Sequence, residues 1–517
     1  MMNEVYDRFL GLERRERLMQ RTVGGVPYWH LVRFNVYTRS VLPLFVKMDA
    51  AHPDFDPVAS PRRSLLRRAA GKLRRWAMSA LAATVRNPRL VFRRRDVLFS
   101  LTPRQTDFGD GRKVSVLLDF FAPRIKSSAA LLELVLPPGP TRQPCGRRVL
   151  WLREGGRWFD ECRRSAKYSE TAAERRREAE HVARLLSAEF GAAVSADDIA
   201  SHIDYALLVR EAYLPVCRTL LRRMSPKLVV TAVQYHVPNF VLTEAAHELG
   251  IKVAELQHGT VYPAHAAYNL PENGSVYSPD VFLSWGGRWA EQMRNYPRGA
   301  TILSGYPYID HCLLRYPPCP RADGGPFRVL FVSQGTVARW FVEIAAELRA
   351  LLPRDRFAVI YKLHPNESRT WRTRYPALQS AGVEVVENMS KNIYRCLADA
   401  DVTVGLNSTA LIEGFAWGVR ALVIGWLPGA ESMDEFCRSG MAECVDSASH
   451  LAERVRSLAE NHESAVFDRF RFWVPNAAEN VASSIDALAK GKSPPPGLAR
   501  APRGVGSASA DEGRGKI

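Results

Sequence analysis

Between Asp401 and Gly425 the chain passes from a buried apolar strand through a polar turn into an apolar-periodic helix, and out into a second buried strand. The order is Asp401-Val-Thr-Val-Gly-Leu-Asn407-Ser408-Thr409-Ala-Leu-Ile-Glu413-Gly-Phe-Ala-Trp-Gly418, then Val-Arg-Ala-Leu-Val-Ile-Gly425. This reads as a βαβ unit of a parallel sheet. Its turn delivers Asn407, Ser408 and Thr409 to a helix N-terminus, where free N–H groups and the macrodipole favour a phosphate. Glu413 sits one turn inside that helix. Neither Ser408 nor Thr409 lies three residues before it, so it is no capping-box partner. Two readings remain for it: an acid that complements the dipole, or an acceptor for the ribose hydroxyls of a nucleotide whose phosphates lie on the turn.

The same alternation recurs along most of the chain. Strands are expected at Asp96 to Leu101 and Arg148 to Leu152, followed by charged helices over 168–224. Then come strand Lys227 to Val233, helix Asn239 to Gly250, strand Lys252 to Leu256, and strands Asp280 to Ser284 and Ala300 to Ser304. A proline- and glycine-rich break, Tyr316 to Pro326, divides the chain. Strand Arg328 to Ser333, a helix to Leu352, strand Phe357 to Leu363, a strand near Val383 and a helix over 391–400 lead back to Asp401. The expected class is α/β, with two doubly wound Rossmann-like domains. The expected units are a helical, basic extension (1–95), a first domain (96–315), a second domain (326–489) and a disordered tail (490–517). A length of 517 residues leaves room for two cores.

Charge singles out the extension. The chain carries a net +17, and from Arg62 to Arg95 there is no acid. On a helical wheel over 63–77, Leu65, Leu66, Ala69, Ala70, Leu73, Trp76 and Ala77 share one face, opposite Arg63, Arg67, Arg68, Lys72, Arg74 and Arg75. Such a helix suits an anionic membrane surface, or packs on its own domain with its basic face solvated. No nucleic-acid motif accompanies the charge, so a nucleic-acid partner is not expected. There is no apolar run long enough to span a bilayer and no basic, apolar leader at the start. The expectation is a cytoplasmic protein, peripheral on the inner face of the cytoplasmic membrane. Eight cysteines without Cys-x-x-Cys spacing fit reduced thiols. Asp54-Phe-Asp56 spells a metal-binding acidic pair, but with prolines on both sides and no preceding strand it reads as loop.

In open α/β sheets ligands bind beyond the carboxyl ends of the strands, and the informative polar residues cluster there. In the second half these are Ser333-Gln334-Gly335, Lys362-Leu-His364-Pro365 and Asn407-Ser408-Thr409, three strand ends able to converge on a phosphate. The alternative for His364, a loop histidine with a structural hydrogen bond, is weakened by its coincidence with the other two turns. In the first half the strand ending Glu255-Leu-Gln257-His258-Gly259-Thr260 places Glu255 and Gln257 on one side of an otherwise apolar strand, which is costly if both are buried unpaired. His258 follows at the strand end, where a histidine can take a proton from an attacking hydroxyl, with Gly259 expected to allow a sharp turn. A buried polar cluster that merely ties the strand end to a loop is the alternative.

Taken in order, these three motifs resemble the GT-B glycosyltransferases of bacterial surface-polysaccharide assembly, capsule and lipopolysaccharide among them. The nearest resemblance is to the CDP-glycerol glycerophosphotransferases and to the capsule-type transferases that use CMP-activated sialic acid or Kdo. Glu255 to Thr260 is similar to the Trp-His-Gly-Thr stretch of the glycerophosphotransferases, with Gln257 standing in place of the tryptophan. Lys362-Leu-His364-Pro365 looks like their His-Pro element, and Asn407-Ser408-Thr409 with Glu413 looks like their phosphate- and ribose-binding turn and acid. The resemblance covers about residues 225–425. It implies two facing domains, with His258 as base, Glu255 orienting it, and Gln257, Gly259 and Thr260 on the acceptor side. It further implies a nucleotide-sugar donor, a cytidine nucleotide favoured, held by Ser333, Gly335, Lys362, His364, Asn407, Ser408, Thr409 and Glu413. The acceptor would be a hydroxyl of a surface polysaccharide or lipid-linked glycan, and no metal or cofactor is expected. Polyol-phosphate transfer from CDP-glycerol, nucleotide-sugar 2-epimerisation and a non-catalytic scaffold in capsule assembly are the alternatives.

Overall fold

Apolar strands too hydrophobic to face water on either side assemble into two parallel sheets, each covered by helices. The computed structural model describes residues 2–45, 93–101, 105–107, 113–133, 148–151, 157–322, 324–335, 337–364, 367, 370–387, 392–427, 429–461, 468–495 and 499–500. The basic segment 63–77, Asp54-Phe-Asp56 and most of the tail expected beyond 490 lie outside the described residues.

The first sheet contains β1 (Val97–Ser100), β2 (Ala129–Glu133), β3 (Arg148–Trp151), β4 (Leu228–Ala232), β5 (Lys252–Leu256), β6 (Val281–Ser284) and β7 (Ala300–Leu303). Their spatial order is β3-β2-β1-β4-β5-β6-β7, all parallel. The second sheet contains β8 (Phe327–Val332), β9 (Phe357–Lys362), β10 (Glu384–Val386), β11 (Val402–Gly405), β12 (Arg420–Ile424) and β13 (Ala442–Val445), ordered β10-β9-β8-β11-β12-β13 and again parallel. Both have the doubly wound order in which strands one to three run one way and strand four starts back from strand one. Each therefore has a topological switch point, between β1 and β4 and between β8 and β11, where a crevice opens for ligands. The expected architecture of two Rossmann-like domains is what the chain adopts. A late strand, Ala499–Arg500, adds antiparallel to β7.

Alternate residues of the first sheet feed two different cores, as the period of two requires. Leu98, Ala130, Val229 and Val253 face a layer formed by the N-terminal helices Met2–Arg15 and Trp29–Val36 and the long helices Ala172–Phe190 and Ala196–Met224. Val97, Phe99, Val230 and Ala254 face a core that is continuous with the second half. Residues 2–45 are thus an outer layer of the first domain rather than an appendage. Arg33, 1% exposed, is paired there with Glu13 at 2.7 Å.

The second domain does not keep its last helix. After Asn461 the chain crosses back, and helix Ala477–Ala489 packs against helix Pro307–Arg315, the Ala122–Arg124 turn and β4. Asp486 accepts from the backbone N–H groups of Lys126 and Ser127, both at 2.9 Å. Gly305, at φ +83°, leaves room for the crossing strand: a Cβ there would collide with the Val474 carbonyl oxygen and with Ala477. The span 326–489 therefore ends in a helix whose contacts belong to the first domain.

Candidate active site

His258 follows the end of β5 and is only slightly exposed, with 12% of its side chain accessible. Its ring is held from both ends. Nδ1 accepts from the Val233 N–H at 3.3 Å and lies 3.2 Å from the Tyr268 hydroxyl, while Nε2 lies 3.1 Å from the Tyr235 hydroxyl. Three residues upstream, Glu255 is fully buried and saturated with donors: the Gln234 N–H at 3.1 Å, the Tyr268 hydroxyl at 3.1 Å and the Tyr296 hydroxyl. Burial raises the Glu255 pKa to about 7, against the pull of the Tyr296, Gln234 and Tyr268 hydrogen bonds. The isolated buried carboxyl that would be costly is here a partnered one. Glu255 Oε1 and His258 Nδ1 are 3.9 Å apart, so any orientation of the ring by Glu255 passes through Tyr268.

The residues that complete this cluster come from elsewhere in the chain. Gln234 and Tyr235 follow β4 at the first switch point, and a polar triplet Gln-Tyr-His after an apolar strand is the signal that marks them. Tyr268 and Tyr296 leave no such signal. The backbone between β4 and Gln234 is sharply bent: Val233, a β-branched residue, has φ +57°, a conformation that costs about 1–3 kcal/mol and clusters at functional sites.

Gln257 ties two strand ends together. Its carbonyl Oε1 accepts from the Trp285 N–H at 2.8 Å and the Ser284 hydroxyl at 3.2 Å, and its amide donates to the Gly259 carbonyl at 2.8 Å. It is 2% exposed and braces the ends of β5 and β6. Gly259 has no positive φ, and a Cβ on it would meet nothing within 4 Å, so the turn makes no demand for glycine. Gly259 and Thr260 are half-buried and lead into Val261.

On the second sheet the expected strand ends do meet. The Gln334 side chain donates to Asn407 Oδ1 at 2.9 Å and accepts from the Asn407 N–H at 3.1 Å, joining the ends of β8 and β11 across the switch point. Asn407 then donates to the Gly429 carbonyl and the Ser432 hydroxyl. On the other side, a Cβ on Gly335 would lie 3.9 Å from His364 Nδ1. Burial lowers the His364 pKa, and its backbone N–H donates to Glu367 at 2.5 Å. The Ser333 hydroxyl lies 3.0 Å from that of Tyr361.

Lys362 alternates with Tyr361 and is 3% exposed. Burial pulls its pKa down to about 8, with Cys396 and Glu387 working the other way. Ser408 caps its own short helix, accepting from the Leu411 N–H at 3.1 Å, with Thr409 as the first helical residue. Glu413, 5% exposed, accepts from the Tyr394 hydroxyl at 3.1 Å, and Tyr394 packs 5.2 Å from Tyr308 of the first half. That places Glu413 against the junction of the two halves.

Between the halves lies a cleft that is open to solvent. Asn3, Val261, Tyr262, Pro263 and Arg288 of the first half line it, facing Glu431, Ser432, Asp434, Glu435 and Arg438 of the second. Arg288 reaches across to pair with Glu435. Thus the loop after His258 and the loop held by Asn407 form opposite walls of one cleft. Among the described residues no group of three or more His, Cys, Asp or Glu side chains could hold a metal ion, and no helix is long and apolar enough to cross a membrane.

No protein-family model and no curated protein matches the chain. Among solved structures, it is similar to the glycotransferase of kitacinnamycin at 14% identity, covering 78% of this chain and 96% of that one with a TM-score of 0.40. It is also similar to a putative UDP-N-acetylglucosamine 2-epimerase from Listeria monocytogenes, at 10% identity, 77% and 98% coverage and a TM-score of 0.46. A third is the spinosyn rhamnosyltransferase SpnG complexed with thymidine diphosphate, at 12% identity, 77% and 97% coverage and a TM-score of 0.39.

Proposed function

We propose that the protein is a glycosyltransferase. It would move a sugar from a nucleotide donor on the second sheet to a hydroxyl, on a surface polysaccharide or lipid-linked glycan, presented beside His258. The observation that carries this reading is a cleft walled on one side by the loop that follows His258 and on the other by the loop that Asn407 holds, each loop lying beyond a polar strand end at or next to the switch point of its own sheet. In the reaction the acceptor oxygen bonds to the anomeric carbon and its proton passes to His258. The bond from that carbon to the donor phosphate breaks, and the departing nucleotide keeps the electron pair. Lys362, His364 and the N–H groups of the Ser408 turn supply the charge and donors that stabilise such a leaving group. The resemblance to transferases that use CDP-glycerol and CMP-activated sugars favours a cytidine nucleotide.

A thermal-shift series with CMP, CDP, UDP, GDP and dTDP, and with their sugar conjugates, tests the donor half directly. At least one nucleotide should stabilise the protein, and Ser408→Ala combined with His364→Ala should weaken its binding by about 10–100-fold, the worth of one or two charge-assisted hydrogen bonds. No stabilisation by any of them would sink the reading.

A nucleotide-sugar 2-epimerase is the second reading, favoured by the carboxylates of Glu431, Asp434 and Glu435 on the cleft wall and by a Glu255 that titrates near neutrality. Incubation with a nucleotide sugar in D2O without acceptor separates the two, because only epimerisation puts deuterium on the sugar C2.

A further inference from the structure

The Tyr268 hydroxyl stands between two groups that do not touch each other. It is 3.1 Å from Glu255 Oε1 and 3.2 Å from His258 Nδ1, whereas those two atoms are 3.9 Å apart, beyond hydrogen-bond reach. A phenol has a single proton to give. Given to Glu255, it leaves the phenol oxygen as an acceptor for an Nδ1–H, and Nε2 is then unprotonated. Given to Nδ1, it forces the imidazole proton onto Nε2. The Val233 N–H, 3.3 Å from Nδ1, favours the second state. An ionised Glu255, which competes strongly for the phenol proton, favours the first, and so does a Tyr235 hydroxyl that donates to Nε2.

We propose that Tyr268 is a positioning residue that sets the tautomer of His258 according to the ionisation of Glu255. With Glu255 ionised, Tyr268 donates to the carboxylate and accepts from Nδ1–H, so that Nε2 is a base; Tyr235 donates to Nε2 until the acceptor hydroxyl replaces it. With Glu255 protonated, the phenol turns to Nδ1, Nε2 carries the proton, and the base is switched off. The inference rests on the reading of His258 as the base for glycosyl transfer.

The groups around the carboxyl leave few other candidates for its control. Tyr268, Tyr296 and the Gln234 N–H bond to it. Thr231 and Phe282 flank it in register on β4 and β6. His258 is the nearest ionisable nitrogen, and Tyr235 adds its field to Tyr268 and Tyr296. The Glu255 midpoint of about 7 places the switch at neutral pH.

The test uses the full chain with ¹⁵N-labelled histidine rings, the His258 signal being assigned by its loss in His258→Gln. In the wild type the Nε2–H tautomer should give way to Nδ1–H between about pH 6 and about pH 8, either side of the Glu255 midpoint. Tyr268→Phe should stay Nε2–H throughout, and Glu255→Gln should show no change over that range. Turnover is followed with CMP-, CDP-, UDP-, GDP- and dTDP-sugars. Tyr268→Phe should lower kcat about tenfold or more and flatten the acid limb of its pH profile. The donor KM should stay within about twofold; a wrong imidazole tautomer costs up to about 10⁴-fold in a serine–histidine–aspartate triad.

A Tyr268→Phe protein with wild-type tautomer and pH profile would overturn the inference while leaving glycosyl transfer intact. Expected tautomers in every variant, with no nucleotide sugar turned over, would uphold the switch and overturn the transferase reading. Should Tyr268→Phe fail to fold, Glu255→Gln decides alone: a tautomer that still changes with pH in that variant refutes the switch.

Discussion

Folding makes the carboxyl of Glu255 harder to ionise, from an ordinary value of 4.5 to about 7. Between those values the folded chain binds more protons than the unfolded one, so stability must fall as pH rises through that window and level off above it. The full effect is about 3 kcal/mol, from the size of the shift. Glu255→Gln should remove this dependence and be more stable than wild type above neutral pH; urea melts on either side of the window measure it. The same variant should be less active, since the ionised form is the one that frees the base. Replacing His258 by Ala should lower turnover by about 10²–10⁴-fold and leave donor affinity nearly unchanged, as read from kcat and from nucleotide binding. If that variant keeps wild-type turnover, the base lies elsewhere. If it instead fails to fold, His258 is a tether between β5 and the Tyr235 loop.

The elements that aim these residues lie in the N-terminal helical layer as much as in the sheet. The Arg33 guanidinium reaches from helix Trp29–Val36 to the carbonyls of Ala266 and Asn269, and Tyr6 of helix Met2–Arg15 donates to Asn269 as well. The segment that bears Tyr268 is thus clamped from outside. Glu13→Ala would strand the buried Arg33 charge and should cost about 3–5 kcal/mol, seen as a lower denaturation midpoint. Much of the sheet was legible in advance because its strands are apolar runs bounded by turn residues; Lys252–Leu256 falls where the pattern puts it. Strand β2 was not, since Ala129-Ala-Leu-Leu-Glu133 is written in helix formers and is extended by its pairing with β1 and β3. The site divides likewise. His258, His364 and Asn407 announce themselves as polar residues at the ends of apolar strands. Tyr235, Tyr268 and Tyr296 reach the cluster only through tertiary folding, and a lone tyrosine in a loop carries no mark of its destination. Gln257 shows the converse, a conspicuous strand-end amide spent on bracing the neighbouring strand.

At the scale of the molecule, the two domains are bound together by the returning C-terminal segment. Trp289 Nε1 donates to the Phe472 carbonyl at 2.8 Å, the Val474 N–H to the Trp285 carbonyl at 2.9 Å, and the Ala477 N–H to Asp310 at 2.7 Å. Burial alone would raise the Asp486 pKa, but the donors of Ser127 and Lys126 hold it below its ordinary 3.8. Its contribution is therefore present above that value and is lost as pH falls through the lower, folded one. Asp486→Asn should cost about 1–3 kcal/mol at neutral pH and less in acid, by calorimetry at both. Gly305→Ala, which puts a methyl where the crossing chain runs, should be worse than either. The crossing also has a consequence for biosynthesis. A ribosome delivers the first sheet long before residues 477–489, so a nascent chain must carry β4 and the Ala122–Arg124 turn uncovered until its last turns of helix emerge. Chains stalled short of Ala477 should accordingly remain sensitive to protease across the whole first half, although every strand of that half's parallel sheet has already been made.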